Sequence, residues 1–253
     1  MHLKGQRVTY VRFLGAVVAV FLLALPLSAQ TQETRSLRSI VLEDFDDPDA
    51  RTWLVTASKF SPEELPETAY VNTWPEALYR NEPEDRTLRA FGVRAAFTRK
   101  GYNFVEMTPA AENEEGEVVP DGIPIPGTVD TIDVWVWGSN RNYYLDIQLR
   151  DFRGVVHTLR MGDLGFRGWQ NLRIEIPTYI QQESTYLLQQ QGLEIAKLVL
   201  WTRPEERVDE FYVYFDEIKV VTDVFRERFD GEELADPERI DELWSEGSGN
   251  QGE

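Results

Sequence analysis

The chain has 253 residues, no cysteine, two histidines, and 44 acidic against 26 basic residues, for a formal net charge of −18. Without cysteine there are no disulfides, no thiol nucleophile and no lipid attachment through a lipobox. The acidity argues against nucleic acid and anionic lipid as partners, and it fits an exported protein that meets a basic or neutral surface, or calcium.

Lys4, Arg7 and Arg12 form a basic start, Phe13 to Leu27 is apolar, and "LSAQ" follows. This is the layout of a secretory signal peptide spanning residues 1–29, cleaved after Ala29. The apolar run is shorter than the roughly 20 residues of a membrane span, so no membrane insertion is expected after cleavage. Removing those residues takes away three basic side chains and no acidic one, which moves the net charge from −18 to −21. The chain from Gln30 onward is long enough to bury about 70% of its unfolded surface in one domain without disulfides.

From Ile40 to Val221 short alternating runs are separated by turn residues. They include "SIVLEDF", "LRAFGVRAAF", "TIDVWVW", "YYLDIQL", "VVHTLRM", "NLRIEI", "IAKLVLW" and "FYVYFDEIKVV". Aromatic and β-branched residues dominate them, as strand faces require. "DFRG" between two runs is a hairpin signal. So many strands in one domain predict an all-β fold, a two-sheet antiparallel β-sandwich of jelly-roll, galactose-binding-like type, over residues 30–225. Residues 108–127, with four prolines, three glycines and several acids, read as an exposed insertion loop. Residues 176–192 read as a helix or structured loop between strands. Residues 226–253 form an acidic C-terminal tail with a short helix over "PERIDELW" and a disordered Gly/Ser end.

Catalytic chemistry finds few candidates. After signal cleavage one histidine remains, His157, on the face of Val155 and Leu159. It reads as a hydrogen-bonded histidine at the core edge rather than a catalytic base. No "GxSxG", Walker loop or "HExxH" occurs, and catalytic residues are set at none. Carboxylates are abundant enough to pair by chance, so a glycosidase using two of them ranks lowest. The best clusters are "EDFDDPD" and "FDEI". First and last strands of a jelly roll often run side by side, so Glu43, Asp44 and Asp216 could share a structural calcium. The alternative is solvated strand ends with a bulge at Asp216–Glu217. No other cofactor is expected.

The tryptophans carry more information. In "TIDVWVWGSN", Ile132, Val134 and Val136 share one face of a strand, while Asp133, Trp135 and Trp137 share the other. Trp135 and Trp137 are therefore candidates for a partner contact or a sugar-stacking platform, unless the 108–127 or 176–192 segment covers them. Trp169 lies an odd number of residues from Leu172, Ile174 and Ile176, so it leaves their face. With Gly165 and Gly168 shaping the turn before it, its ring reads as a lid over the open end of the sandwich.

Taken as one unit, residues 128–180 run from a strand ending in glycine through "YYLDIQLRD", "GVVHTLRMG" and "LGFRGWQNL" to "PTYI". This order, with "LRAFGVRAAF", "YVYFDEIKVV" and the opening "VLEDFDD", resembles the spirochaete flagellar filament outer-layer (sheath) protein family over roughly residues 39–225. The resemblance implies a non-catalytic, exported structural protein of the periplasmic flagellum that contributes to filament shape and motility. Its partners would be the core flagellin filament and other sheath subunits. The rival expectation is an exported carbohydrate-binding module that stacks sugars on Trp135 and Trp137.

Overall fold

Residues 35–84, 86–182 and 192–224 are described by the structure, a computed structural model. Ile132, Val134 and Val136 are fully buried, whereas Trp135 and Trp137 between and beyond them are only partly so. This period-two pattern recurs along the chain and builds thirteen strands, with no helix among the described residues. They are β1 (Leu37–Glu43), β2 (Thr52–Ala57), β3 (Glu67–Val71), β4 (Ala90–Ala95), β5 (Phe104–Glu112), β6 (Val118–Pro120) and β7 (Ile123–Ile125). The remainder are β8 (Thr128–Ser139), β9 (Tyr144–Asp151), β10 (Val156–Asp163), β11 (Arg167–Glu175), β12 (Leu193–Trp201) and β13 (Phe211–Asp223).

The strands form the two antiparallel sheets of a β-sandwich. The six-stranded sheet has the order β11-β8-β13-β4-β3, with β1 also paired to β13. The long β13 is shared on one side, pairing with β4 through Phe211–Phe215 and with β1 beyond Glu217. First and last strands are thus neighbours, as the sequence suggested. The seven-stranded sheet has the order β10-β9-β12-β5-β2, with β6 on β5 and β7 on β12. Side chains from both sheets merge in one apolar core that includes Phe45, Phe91, Leu145, Ile147, Leu198 and Phe215. The "DFRG" hairpin is present: the Gly154 N–H donates to Asp151 O at 2.8 Å, and Gly154 has φ +81°.

Residues 108–127 are not an exposed loop. Thr108–Glu112 completes β5, Val118–Pro120 pairs back onto it, and Ile123–Ile125 pairs with the start of β12. Ile123 and Ile125 are buried in the core. Prolines are tolerated here because β6 and β7 each have a single strand partner among the described residues, leaving one edge without ladder bonds to donate. Loop character is limited to residues 113–117, 121–122 and 126–127; in the first of these the Asn113 side chain accepts from the N–H groups of Glu115 and Glu117. The start of the 176–192 segment docks at the far end of β8, where the Gln182 amide accepts from Val129 N and donates to Val129 O. Residues 1–34, which hold the expected signal peptide, residues 183–191 and the expected acidic tail from 225 onward lie outside the described residues.

Candidate partner-binding face

On the solvent side of the six-stranded sheet, Trp137 of β8 stands opposite Trp169 of β11 and Tyr214 of β13. Tyr214 in turn faces Gly92, and Gly92 faces Ala69. The next row holds Asn171, Trp135 and Asp216. Trp137 and Tyr214 meet edge to face, with ring centroids 5.5 Å apart at 78°, a favoured aromatic geometry. Trp135, Trp137, Trp169 and Tyr214 are each half-buried. The indole nitrogen of Trp135 is buried and finds no acceptor among the described residues.

This corrects the reading of Trp169. Its odd phase does put it off the core face, but the ring closes nothing: it lies on an edge strand among other outward aromatics, outside the apolar core. The glycine before it, Gly168 (φ +84°), pairs with Gly138 inside the ladder. No described part of either candidate cover lies over Trp135 and Trp137; residues 183–191 of the second lie outside the described residues. Residues 108–127 are woven into the other sheet, and Gln182 is anchored six residues along β8 from Trp135, about 20 Å at strand rise.

Beside the aromatic row stand three buried acidic side chains, Asp133, Asp216 and Glu217. Asp133 is buried and held by Asn171 Nδ2 at 2.7 Å and Lys219 Nζ at 3.5 Å. The ladder between β13 and β8 breaks between Asp216 and Lys219, the bulge foreseen at "DE", and Glu217 takes φ +39° there. Asp216 is only 4% exposed and accepts the Glu217 N–H at 2.8 Å. Burial, reinforced by Glu217, Asp46 and Asp44, pushes its carboxyl up to about 8. Tyr79 donates to Glu217 at 3.0 Å, and Arg86 bonds the Tyr79 hydroxyl while pairing with Asp46 at 3.3 Å.

Asp44 and Asp216 are therefore neighbours, but Glu43 is engaged elsewhere. It stands opposite the core residue Ile218, accepts the Phe45 N–H at 3.1 Å and pairs with Arg51 at 3.4 Å. Among the described residues no group of three or more His, Asp or Glu is arranged to hold a metal ion. The side-by-side strands deliver the backbone proximity; the cation beside Glu43 is Arg51, and Arg86 pairs with Asp44 and Asp46.

His157 sits where its strand phase placed it, at the edge of the core, with Nε2 3.1 Å from Asp151 Oδ2. Asp151 also binds Arg153 at 2.8 Å and the N–H groups of Arg153 and Val155. Burial alone would raise its pKa. The bonds from Arg153, His157 and Val155 outweigh that and bring it down to about 2. The pair staples the β9–β10 hairpin. The other sheet carries an aromatic row that the sequence reading did not single out: Phe104, Trp201 and Tyr144, with centroid separations of 5.3 and 6.2 Å. Arg160 lies 3.5 Å over Tyr144. Its signal was available, since Tyr144 and Trp201 are out of phase with the buried Leu145 and Leu200.

The family model for the flagellar filament outer layer protein FlaA matches residues 41–229, about three quarters of the chain and nearly all of the sandwich. The chain belongs to the FlaA family. A flagellar filament outer layer-like protein of Brachyspira hyodysenteriae is 28% identical over 138 residues, covering 54% of this chain and 59% of that relative. The matched segment thus spans less than two thirds of that protein's length. Among solved structures, the family 11 carbohydrate-binding module of the cellulase Lic26A-Cel5E of Clostridium thermocellum aligns over 74% of this chain and 96% of its own. Its identity is 11% and its TM-score 0.41. The module TmCBM61, solved with β-1,4-galactotriose, aligns over 68% and 88%, at 12% identity and a TM-score of 0.36. The expected family is thus shown, and with it a flagellar location.

Proposed function

We propose that this FlaA-family chain is a non-catalytic structural subunit of the outer layer of the periplasmic flagellar filament, attached through the aromatic face of its six-stranded sheet. The observation that carries the reading is the row Trp169–Trp137–Tyr214, three half-buried rings on three adjacent strands. Aromatic side chains dominate the energetic centres of protein interfaces because they bury large areas at small entropic cost. The chain's net charge of −18 suits a partner surface that is basic where it meets this face. The partners in this reading are the core flagellin filament and neighbouring outer-layer subunits, and the attached layer stiffens or shapes the filament for motility.

The experiment is to purify native filaments from the source cell, strip the outer layer stepwise and follow this protein by mass spectrometry. It should release with the outer layer and start at Gln30, as an exported chain would. Recovery only in the soluble fraction, with none on filaments, would sink the reading.

A further inference from the structure

Along the aromatic row the side chains end abruptly: Trp169, Trp137 and Tyr214 are followed by Gly92 and Ala69. Gly92 has room for no side chain, because a Cβ there would lie 2.9 Å from a Tyr214 ring carbon and 3.2 Å from Ala69 O. The Tyr214 ring therefore leans across the strand beside it. Past that ring, the small residues leave a hollow of about 250 Å³ bordered by Tyr212, Tyr214, Arg94 and Glu67.

We propose that this hollow is a carbohydrate site taking one neutral pyranose ring. Its volume falls just below the roughly 300–1,000 Å³ of drug-sized pockets, which suits a single ring rather than an oligomer. Tyr214 and Tyr212 supply aromatic walls, and Tyr212 is 41% exposed. The C–H face of a pyranose packs on such rings. The rim is polar and mixed in sign: the Arg94 guanidinium binds Glu67 at 2.9 Å, and behind the rim Glu210 accepts from Arg94 at 2.6 Å and from the Tyr212 hydroxyl at 2.7 Å. All of these side chains remain open to solvent. A sugar hydroxyl donates and accepts at once, so adjacent hydroxyls can address a guanidinium and a carboxylate together. An apolar side chain of a partner protein would fill the hollow and leave that rim unaddressed. Arg94 and Glu67 balance within the rim, and Glu210 behind Arg94 and the chain's charge of −18 disfavour acidic sugars and phosphates. The sugar-stacking role attached to Trp135 and Trp137 thus finds ring, hollow and polar rim together at the next strands along. The inference concerns a second binding activity and does not rest on the outer-layer reading.

The test titrates the whole exported chain with methyl glucoside, methyl galactoside, methyl mannoside and methyl glucuronide, read by saturation-transfer NMR and calorimetry. At least one neutral glycoside should bind and the glucuronide should not. Ala69→Phe, which fills the hollow from the edge strand, should weaken binding by at least about tenfold, and so should Tyr212→Ala, whose exposed ring carries no core packing. The proposal is overturned if no neutral glycoside binds, if the glucuronide binds better, or if both variants bind as the parent does. Loss of filament cosedimentation in Ala69→Phe without any sugar binding would show that the hollow takes a protein side chain. The sugar proposal would then fall and the outer-layer reading would stand.

Discussion

Trp137 and Trp169 occupy directly opposed positions on adjacent antiparallel strands, both on the solvent side of the six-stranded sheet. Opposed pairs of this kind interact across the ladder, but their contribution is small beside that of a core ring. Trp169→Ala should therefore cost only about 0.5–1.5 kcal/mol, while Phe215→Ala, at a fully buried position, should cost about 3–5 kcal/mol. Thermal or urea melts of the two variants check this ordering. Equal losses would return Trp169 to the core.

Asp216 should make the protein less stable as pH rises. Its unfolded pKa is about 3.9, and in the fold it is pushed up to about 8, so the folded state holds a proton that the unfolded state releases. That advantage is complete below about pH 4 and is lost progressively as pH climbs through 8. Asp216→Asn keeps an acceptor for the Glu217 N–H and removes the titration. It should be close to neutral at pH 4 and stabilising by on the order of a few kcal/mol at pH 9. Urea midpoints across that range measure it.

Asp151 acts in the opposite direction. Held at about 2 in the fold against an unfolded value near 3.9, its contribution is present above pH 4 and disappears as pH falls through 2. Asp151→Ala should cost about 2–4 kcal/mol at neutral pH, because it strands the N–H groups of Arg153 and Val155 along with His157. His157→Ala removes one of several bonds and should cost only about 1 kcal/mol. Hydrogen exchange at the β9–β10 hairpin would localise both losses.

Much of the fold was legible because a half-buried strand writes its two faces into alternate residues. The eight quoted runs overlap β1, β4 and β8 to β13, and the odd phase of Trp169 pointed it away from Leu172 before any coordinates. Residues 108–127 misled because prolines, glycines and acids are loop residues by composition. Only pairing to β5 and β12 shows that Pro120 and Pro124 sit on edges that spare them a ladder bond. The site was legible by strand and not by register. Nothing local says that Trp169, Trp137, Tyr214, Gly92 and Ala69 line up, since that row spans five strands and about 145 residues of chain. Glu43 misled for a similar reason: its arginine partner, Arg51, is set by a turn the sequence does not spell out.

The most direct test of the aromatic face is cosedimentation of Trp137→Ala/Trp169→Ala with purified core filaments, at low and high salt, beside a thermal melt. The account predicts a folded, soluble double variant that no longer sediments with filaments. The parent should sediment at low salt and be partly released at high salt, as screening of the attraction between a chain of net charge −18 and a basic partner requires. A well-folded double variant that cosediments like the parent at both salts would contradict the assignment of this face.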